Sequence, residues 1–501
     1  MSLTTRRDAP LALDSEQFRA LGHRLVDTIA ERLAAIPSGP VTRGETPAQV
    51  RSALGLGGPL PEQGEDPGAL LERTAKLLFE HSLFNGHPKF FGYITSSPAP
   101  IGMLGDLLAA AVNPNVGGYM LSPAATEIEA ETVRWIAEFI GYPTTAGGLL
   151  VSGGNMANFV GFFAARAAKA EWNIRAEGAV SASGRRLRAY TSAETHTWIQ
   201  KAADLSGIGT DAVRWIPTGP DLRMDLGALR AAIAADRKAG DVPFLVVGTA
   251  GSVSTGAVDD LPGIARLCRE EELWFHVDGA YGGFAAALPD APADLFALSE
   301  ADSVAVDPHK WLYAPLEAGC ALVRDPAHLI NAFSYHPAYY HLDEALNFVD
   351  YGMQNSRGFR ALKVWLQLRQ VGAAGYRRML GDDVRLTRAL DAAVRKEGEL
   401  EPFTCALSIA TFRFVPADLR ARLTAGDAAV VEYVDQLNQT LNDRLQKGGE
   451  AFVSNAVIGG RYVLRACIVN FRTELADVEA LPGIVVRVGR VIDRELRPAQ
   501  L

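Results

Sequence analysis

The sequence predicts an α/β protein with a mostly parallel central sheet in a large domain, an N-terminal helical segment and a small C-terminal α+β domain. Between residues 88 and 370, short apolar runs alternate with helical patterns, which is typical of parallel strands joined by crossover helices. After residue 370 helical patterns dominate, with strand candidates at 410–415 and 461–470. The strands predicted for the large domain are 149–151, 187–191, 244–249, 273–278 and 303–306, and the helices predicted between them include 159–170 and 226–239.

The first 87 residues predict two helices that lack a core of their own. In 15–36 the apolar side chains recur at spacings of three and four, which indicates an amphipathic helix. A loop rich in Pro and Gly follows, and a second helical pattern spans 68–82. Because two such helices cannot bury a core alone, we expect segment 1–87 to pack on another surface, that of a partner subunit.

The composition argues against a nucleic-acid partner and against a membrane-spanning helix. The formal net charge is −9, and no basic stripe is available to neutralise the phosphates of a nucleic acid. No window contains the roughly 18 uninterrupted apolar residues of a spanning helix. The cysteines show no metal-binding spacing, which predicts reduced thiols in a cytoplasmic protein without a metal site. They are Cys268, Cys320, Cys405 and Cys467.

Two stretches beside predicted strands carry groups that can bind charged partners. LLVSGGNMANF leads from a strand through Gly153 and Gly154 into a helix, so backbone N–H groups can approach a phosphate, although a simple tight turn explains the glycines equally well. LWFHVDGAYGG leaves Asp278 at the end of an apolar strand, where an ionised carboxylate needs a partner. That partner can be a protonated heterocyclic nitrogen, a capped helix N-terminus or, together with His276, a metal ion.

Three more polar residues follow strand ends. His196, in YTSAETHTWIQKAA, can stack on a ring, although a lone histidine is more often structural. Thr249 closes PFLVVGT and can donate a hydrogen bond to a ring substituent. Lys310, in VAVDPHKWL, is either a snorkelling side chain in a turn or an amine in an apolar pocket, where lost solvation favours the neutral form that condenses with an aldehyde. Together these groups form the set needed to hold pyridoxal phosphate.

Six motifs resemble the pyridoxal-phosphate-dependent group II amino-acid decarboxylases, most closely the aromatic-L-amino-acid decarboxylase branch. In family order they are HPKFFGY, SGGNMAN, THTWIQKAA, HVDGAYGG, ADSVAVDPHKWL and RGFRALKVW. The resemblance implies the type I, aspartate aminotransferase-like fold and a homodimer with active sites at the subunit interface. The expected division is a helical segment in 1–87, a cofactor-binding domain in 88–370 and a small domain in 371–501.

The resemblance also implies a role for each candidate residue. Lys310 binds pyridoxal 5'-phosphate covalently, Asp278 pairs with its pyridine nitrogen and His196 stacks on its ring. Thr249 lies near the ring hydroxyl, His309 walls the pocket, and Gly154 and Asn155 anchor the phosphate, with Asn155 replacing the commoner serine. Asp307 stands where the aromatic branch often has asparagine near the phosphate. Since a carboxylate repels a dianion, we expect Asp307 either to turn away or to have its charge compensated.

The implied reaction is decarboxylation of an L-amino acid to an amine and carbon dioxide, with Tyr339 returning a proton to the α-carbon. Aromatic side chains at the substrate pocket favour an aromatic substrate over glutamate, which needs a cationic partner. The alternatives are aldehyde formation on the same scaffold, decarboxylation of a non-aromatic amino acid such as glutamate or diaminobutyrate, and a non-catalytic cofactor-binding or scaffolding protein. The residues matched to the substrate pocket are Phe91, Tyr93, Thr95, Ser96 and Ser356.

Overall fold

The strands form a seven-stranded sheet and a five-stranded sheet in a computed structural model that describes residues 9–335 and 345–501. The strands are Phe90–Phe91 (β1), Gly147–Val151 (β2), Leu187–Ser192 (β3), Val213–Ile216 (β4), Val242–Thr249 (β5), Trp274–Asp278 (β6), Ser303–Val306 (β7), Gly319–Val323 (β8), Leu400–Ala406 (β9), Ile409–Phe414 (β10), Phe452–Ile458 (β11) and Arg461–Cys467 (β12). The helices are Ser15–Ala35 (α1), Pro47–Ala53 (α2), Pro67–His81 (α3), Pro100–Val112 (α4), Pro123–Phe139 (α5), Gly154–Lys169 (α6), Ile174–Glu177 (α7), Trp198–Leu205 (α8), Leu226–Lys238 (α9), Leu261–Glu270 (α10), Pro308–Trp311 (α11), Ala327–Phe333 (α12), Ala361–Lys396 (α13), Arg420–Thr424 (α14), Ala428–Gly448 (α15) and Leu475–Leu496 (α16).

The large sheet has the strand order β2, β8, β7, β6, β5, β3, β4. Strand β8 runs antiparallel to both of its neighbours, and the pairs from β7 through β4 are parallel. The prediction of an α/β protein with a mostly parallel sheet is therefore confirmed. The sequence did not predict β4 or β8, because β4 has four residues, two of them not buried, and β8 has only a short run of small side chains.

The sheet separates two hydrophobic cores. Along β5, Val246 packs in one core, whereas Leu245 and Val247 pack in the other, as the two-residue period of a strand requires. Both faces are thus buried, which explains why these strands are continuous apolar runs in the sequence. Aspartates cap two of the helices that surround this sheet with side-chain hydrogen bonds to free N–H groups; they are Asp225 on α9 and Asp260 on α10.

The small sheet combines C-terminal strands with one early strand. Its order is β1, β11, β12, β10, β9, and β1 pairs in parallel with β11, with Phe90 opposite Phe452. Helix α13 is interrupted at Gly372, whose φ of 67° is left-handed. That break follows the predicted boundary at 370 by two residues, while β1 carries residues 90–91 into the sheet of the C-terminal region. The proposed division into three parts remains a prediction.

The N-terminal helices pack on each other and leave apolar side chains uncovered. Helix α1 contacts α3 and has no buried residue, and Phe18 is 62% exposed. An uncovered apolar face agrees with the expectation of a partner surface, which stays a prediction. Within the described ranges, no helix combines the length and hydropathy required to cross a membrane.

Candidate active site

A cavity of about 250 Å³ lies beyond the carboxyl ends of the parallel strands, where α/β sheets bind ligands. It is also bounded by the start of α6 and by one strand of the small sheet. Eight of the residues proposed from the sequence line it: Tyr93, Gly154, Asn155, His196, Thr249, Asp278, Asp307 and Lys310. Side chains that are more than 200 positions apart in the sequence therefore share one site.

Lys310 reaches the cavity from a short helix that directly follows a buried strand. Strand β7 ends at Val306, and Pro308 begins α11 at the position where proline is best tolerated in a helix. The Lys310 side chain is 23% exposed, and its Nζ lies 3.1 Å from Oδ2 of Asp307. The lysine is thus held at the cavity by a neighbouring carboxylate.

Asp307 is a buried carboxylate whose charge is compensated on one side. Its Oδ2 faces Lys310, but its Oδ1 is buried without a hydrogen-bond partner. The carboxylate lies against the first residue of α6, since a Cβ added to Gly154 would lie 2.6 Å from Oδ2. The positive end of a 16-residue helix also favours a negative charge there. In this structure Lys310 pairs with Asp307, while the relation of Asp307 to a phosphate stays a prediction.

His309 packs behind this carboxylate and does not line the cavity. Its Nδ1 lies 2.8 Å from the carbonyl oxygen of Ala318, and its Nε2 lies 3.8 Å from Oδ2 of Asp307. Burial lowers the pKa of His309, so the imidazole is neutral near pH 7. Gly153, with a φ of 132°, allows the glycine loop to approach the ring, because a Cβ there would lie 3.0 Å from Cε1 of His309.

Asp278 is fixed at the end of β6 by two neutral donors. Trp198 Nε1 donates to its Oδ2 at 2.8 Å, and the Ala280 N–H donates to its Oδ1 at 3.2 Å. Asp278 is 8% exposed and lines the cavity. Trp198 belongs to THTWIQKAA, but sequence reasoning missed its role. A tryptophan in a sequence does not indicate which acceptor its indole N–H will bond to.

His196 is oriented by the same tryptophan. The Trp198 backbone N–H donates to Nδ1 of His196 at 3.3 Å, which places the proton of the neutral ring on Nε2. Burial is the main cause that lowers the pKa of His196, and the nearby Asp278 carboxylate opposes it. A neutral, oriented imidazole therefore faces the cavity.

Thr249 belongs to a chain of buried hydroxyls. Its Oγ1 lies 3.2 Å from Oγ1 of Thr195, which accepts a hydrogen bond from Thr191 at 2.6 Å. The Thr249 backbone N–H donates to Asp259, a buried carboxylate whose pKa burial raises to about 6. These bonds fix where the Thr249 hydroxyl can point.

The metal interpretation of His276 does not fit its contacts. Both ring nitrogens have partners, Nδ1 with Ser303 Oγ at 2.8 Å and Nε2 with Asn158 Oδ1 at 2.7 Å. Complete burial lowers the pKa of His276 to about 4. In the ranges 9–335 and 345–501, no group of three or more His, Cys, Asp or Glu side chains could hold a metal ion.

Arg465 is a cavity residue that the sequence reasoning missed. It lies on β12 of the small sheet, is 4% exposed and donates to the carbonyl oxygen of Val253. Its Nε is buried without a partner, and burial lowers the pKa of the guanidinium. The signal in the sequence is an arginine inside an apolar strand, YVLRACIV, but only the packing of the two sheets brings it to the cavity.

The residues matched to a substrate pocket are dispersed. Tyr93 lines the cavity with a left-handed φ of 49°, and Ser96 is buried and donates to the carbonyl oxygen of His309 at 2.8 Å. Phe91 is fully buried in the core of the C-terminal region. Thr95 is half-buried, Ser356 is exposed, and neither lines the cavity of this chain. Tyr339 lies outside the described residues, so its place stays a prediction.

These observations define a class of protein before any comparison. A parallel sheet presents an amine, a carboxylate, an imidazole and a hydroxyl to one cavity, beside a glycine-opened helix start at which a Cβ would collide with its neighbours. This set of groups fits pyridoxal 5'-phosphate. The amine suits its aldehyde, the carboxylate, imidazole and hydroxyl suit its ring, and the helix start suits its phosphate. The class is that of pyridoxal-phosphate enzymes with the type I fold.

Comparisons with known proteins give the family. Residues 51–414 match the model described as the pyridoxal-dependent decarboxylase conserved domain. An aromatic-L-amino-acid decarboxylase of Bacillus atrophaeus is 33% identical over 474 residues, which cover 93% of this chain and 94% of the relative. The chain therefore belongs to the pyridoxal-dependent decarboxylase family, whose members are carboxy-lyases that act on amino acids.

Solved structures agree in fold over nearly the whole chain. Catharanthus roseus tryptophan decarboxylase in complex with L-tryptophan has 27% identity and a TM-score of 0.83, covering 97% of this chain and 99% of that one. Rhodiola rosea 4-hydroxyphenylacetaldehyde synthase has 26% identity and a TM-score of 0.83, covering 97% and 100%. A structure named as a decarboxylase and a structure named as an aldehyde synthase thus share this architecture.

Proposed function

We propose that the protein decarboxylates an aromatic L-amino acid to its amine, with Lys310 as the residue that carries pyridoxal 5'-phosphate. The observation that supports this most directly is one cavity lined by Lys310, Asp278, His196 and Thr249 beside the start of α6. When bound, the cofactor accepts the electron pair that the α-carbon retains as carbon dioxide leaves. The tasks left to the protein are to bind, to orient and to move protons.

Asp278 and His196 are assigned to the cofactor ring. The Asp278 carboxylate receives hydrogen bonds from Trp198 and Ala280 but no cation among the described side chains contacts it, so it can hold a proton on a ring nitrogen. His196 is neutral and has its Nδ1 occupied, which suits a flat contact with a ring. Thr249 offers a fixed hydroxyl to a ring substituent.

Gly154 and Asn155 are assigned to the phosphate. They form the first turn of α6, where free N–H groups and the positive helix end favour an anion. The Asp307 carboxylate at the same helix start opposes a dianion, and Lys310 compensates that carboxylate at 3.1 Å. Because the cofactor would take Lys310 away from this carboxylate, we expect Asp307 to weaken cofactor binding rather than to support it.

Arg465 is assigned to the α-carboxylate of the substrate. It is the guanidinium among the described residues that line the cavity, and the other lining cation, Lys310, is needed by the cofactor. One available guanidinium suffices for a substrate with one carboxylate but not for glutamate, which has two. Tyr93 adds an aromatic ring to the wall, and this supports an aromatic substrate over an acidic one.

The remaining parts of the proposal concern the proton and the assembly. We assign the return of a proton to the α-carbon to Tyr339, on the resemblance alone. We also infer a cytoplasmic homodimer, which is supported by reduced cysteines and by the uncovered apolar side chains of α1 and α4.

A panel of L-amino acids, with amine, aldehyde, ammonia and carbon dioxide all quantified, tests the reaction. We expect one amine per carbon dioxide and highest kcat/KM with an aromatic substrate. Lys310→Ala should abolish turnover and the visible absorbance of bound cofactor, whereas Lys238→Ala, an exposed lysine on α9, should leave both unchanged. In air, Tyr339→Phe should divert product from amine to aldehyde and ammonia, with dissolved oxygen as the oxidant that is consumed.

Each alternative has its own outcome in that panel. Aldehyde and ammonia in equal amounts from the unaltered protein would establish the aldehyde-forming reaction. Preferred turnover of glutamate or diaminobutyrate would refute the aromatic assignment. A colourless protein that takes up no cofactor would favour the non-catalytic interpretation.

A further inference from the structure

The segment that follows Lys310 is held by one helix that lies outside the cavity. Gln367 Nε2 and the Tyr376 hydroxyl both donate to the carbonyl oxygen of Leu312, at 3.1 and 3.2 Å. Gln367 precedes the break of α13 at Gly372 and Tyr376 follows it. Both halves of α13 therefore contact the chain two residues after Lys310.

Asp383 adds two hydrogen bonds to this contact. Its Oδ2 accepts from Trp311 Nε1 at 2.9 Å and from the Tyr313 hydroxyl at 2.7 Å. Asp383 lies seven residues, or two turns, after Tyr376 and so on the same face of the helix. The carboxylate is 2% exposed, and burial raises its pKa to about 7 against hydrogen bonds from Tyr313, Trp311 and the Asn470 backbone. Among the residues that the structure describes, no cation pairs with this acid.

The two residues that donate to Asp383 lie one and three residues after Lys310 in the chain. Trp311 is adjacent to Lys310, is fully buried and stacks on Tyr281 with ring centroids 5.1 Å apart. Tyr281 itself lines the cavity. Tyr313 adopts a left-handed φ of 56°, which is unfavourable for a tyrosine and requires outside contacts to hold it. Its carbonyl oxygen accepts from the Ala99 N–H at 2.9 Å, and its hydroxyl is held by Asp383.

We propose that Asp383 is a positioning residue that sets the orientation of Lys310 by clamping Trp311 and Tyr313 to α13. Asp383 touches neither the cavity nor Lys310, so it acts through its two neighbours. Helix α13 also contacts α4 and α5 of the large region and α16 and β9 of the small one. The clamp thus links the lysine to the helix that joins the two regions. This inference rests on the role of Lys310 in the proposed function.

The test uses the full-length holoenzyme with three variants and one matched control. Asp383→Asn keeps the shape of the side chain but removes its charge and replaces one acceptor oxygen by a donor NH2, which weakens the hydrogen bonds that the carboxylate accepts. Trp311→Phe and Tyr313→Phe each remove one donor and leave the acid in place. Asp382→Asn changes the preceding, exposed residue of the same helix and serves as the control. Borohydride reduction followed by peptide mass analysis first locates the cofactor in the unaltered enzyme; failure to find it on Lys310 refutes the proposed function and not the clamp specifically.

For Asp383→Asn we expect kcat to fall about 10- to 100-fold with little change in KM, because a displaced lysine misaligns the reacting atoms. The midpoint of the pH titration of the cofactor's visible absorbance should also shift, by about 0.3 unit or more, since the lysine nitrogen changes its surroundings. Asp382→Asn should show neither effect. Losses in Asp383→Asn and Tyr313→Phe should sum to less than their total in the double variant, because Asp383→Asn weakens the hydrogen bond from the Tyr313 hydroxyl that Tyr313→Phe removes.

A purely structural acid would give a different result. It would lower the melting temperature while kcat and the titration midpoint, measured well below that temperature, stayed at the values of the control. That outcome overturns the proposal. If Asp383→Asn does not fold, unchanged kcat and midpoint in both Trp311→Phe and Tyr313→Phe overturn it equally.

Discussion

Asp307 places a buried carboxylate at the helix start that we assign to a phosphate dianion. Its Oδ1 has no partner among the described residues, and its Oδ2 is paired with the amine of Lys310, which we assign to the cofactor. Both features oppose cofactor binding. Asp307→Asn removes the repulsion and frees the lysine, so we expect pyridoxal 5'-phosphate to bind about 5- to 30-fold more tightly, equivalent to about 1–2 kcal/mol. Titration of the cofactor-free protein, followed by absorbance, measures the change.

Two controls separate the causes of that gain. Pyridoxal, which lacks the phosphate, should gain less affinity from Asp307→Asn, because only the release of Lys310 then contributes. Asp290→Asn, at an exposed aspartate paired with Arg388, should change neither affinity. Weaker binding of pyridoxal 5'-phosphate by Asp307→Asn would contradict the argument and would show that the carboxylate assists the phosphate.

At the scale of secondary structure, the sequence predicts most of the buried strands of the large sheet. It misses β4, which is partly exposed, and β8, which is buried but begins with three small residues. Strands β6 and β7 are mainly apolar and fully buried, and Asp278 and Lys310, at or just after their ends, could be proposed as a consequence. Arg465 and Asp383 could not, because a charged residue inside a strand or helix pattern is usually solvent-exposed. Their burial follows from the packing of the small sheet and of α13 on the large region, which no local pattern encodes.

The packing of α6 on the sheet gives a prediction at the same scale. A Cβ added to Gly161 would lie 2.6 Å from Nδ1 of His276 and 2.9 Å from Oγ of Ser303. Gly161→Ala gains up to about 1 kcal/mol of helix propensity but crowds a core, which typically costs about 1–3 kcal/mol. We expect crowding to prevail and the variant to unfold at lower urea concentration and lower temperature.

The control for that variant is a glycine in open space. Gly483, in α16, has no atom within 4 Å of an added Cβ, so Gly483→Ala should be neutral or stabilise by up to about 1 kcal/mol. Equal stabilisation by both substitutions would mean that α6 can move away from His276 without cost, and that the helix is less tightly packed than these distances indicate.

At the scale of the whole molecule, uncovered apolar side chains argue for a second subunit. Leu104, Leu107 and Leu108 on α4 are each more than half exposed, as is Phe18 on α1. Such a surface is costly in water, and a homodimer would bury it. We therefore expect twice the mass of one chain in light scattering.

Leu107→Glu should raise the dimer dissociation constant at least about 30-fold, because a buried, unpaired carboxylate costs about 2 kcal/mol or more. Leu205→Glu, at an exposed leucine on α8, should leave the dimer intact. A monomeric unaltered protein with full activity would refute both the dimer and the expectation that its active sites lie at a subunit interface.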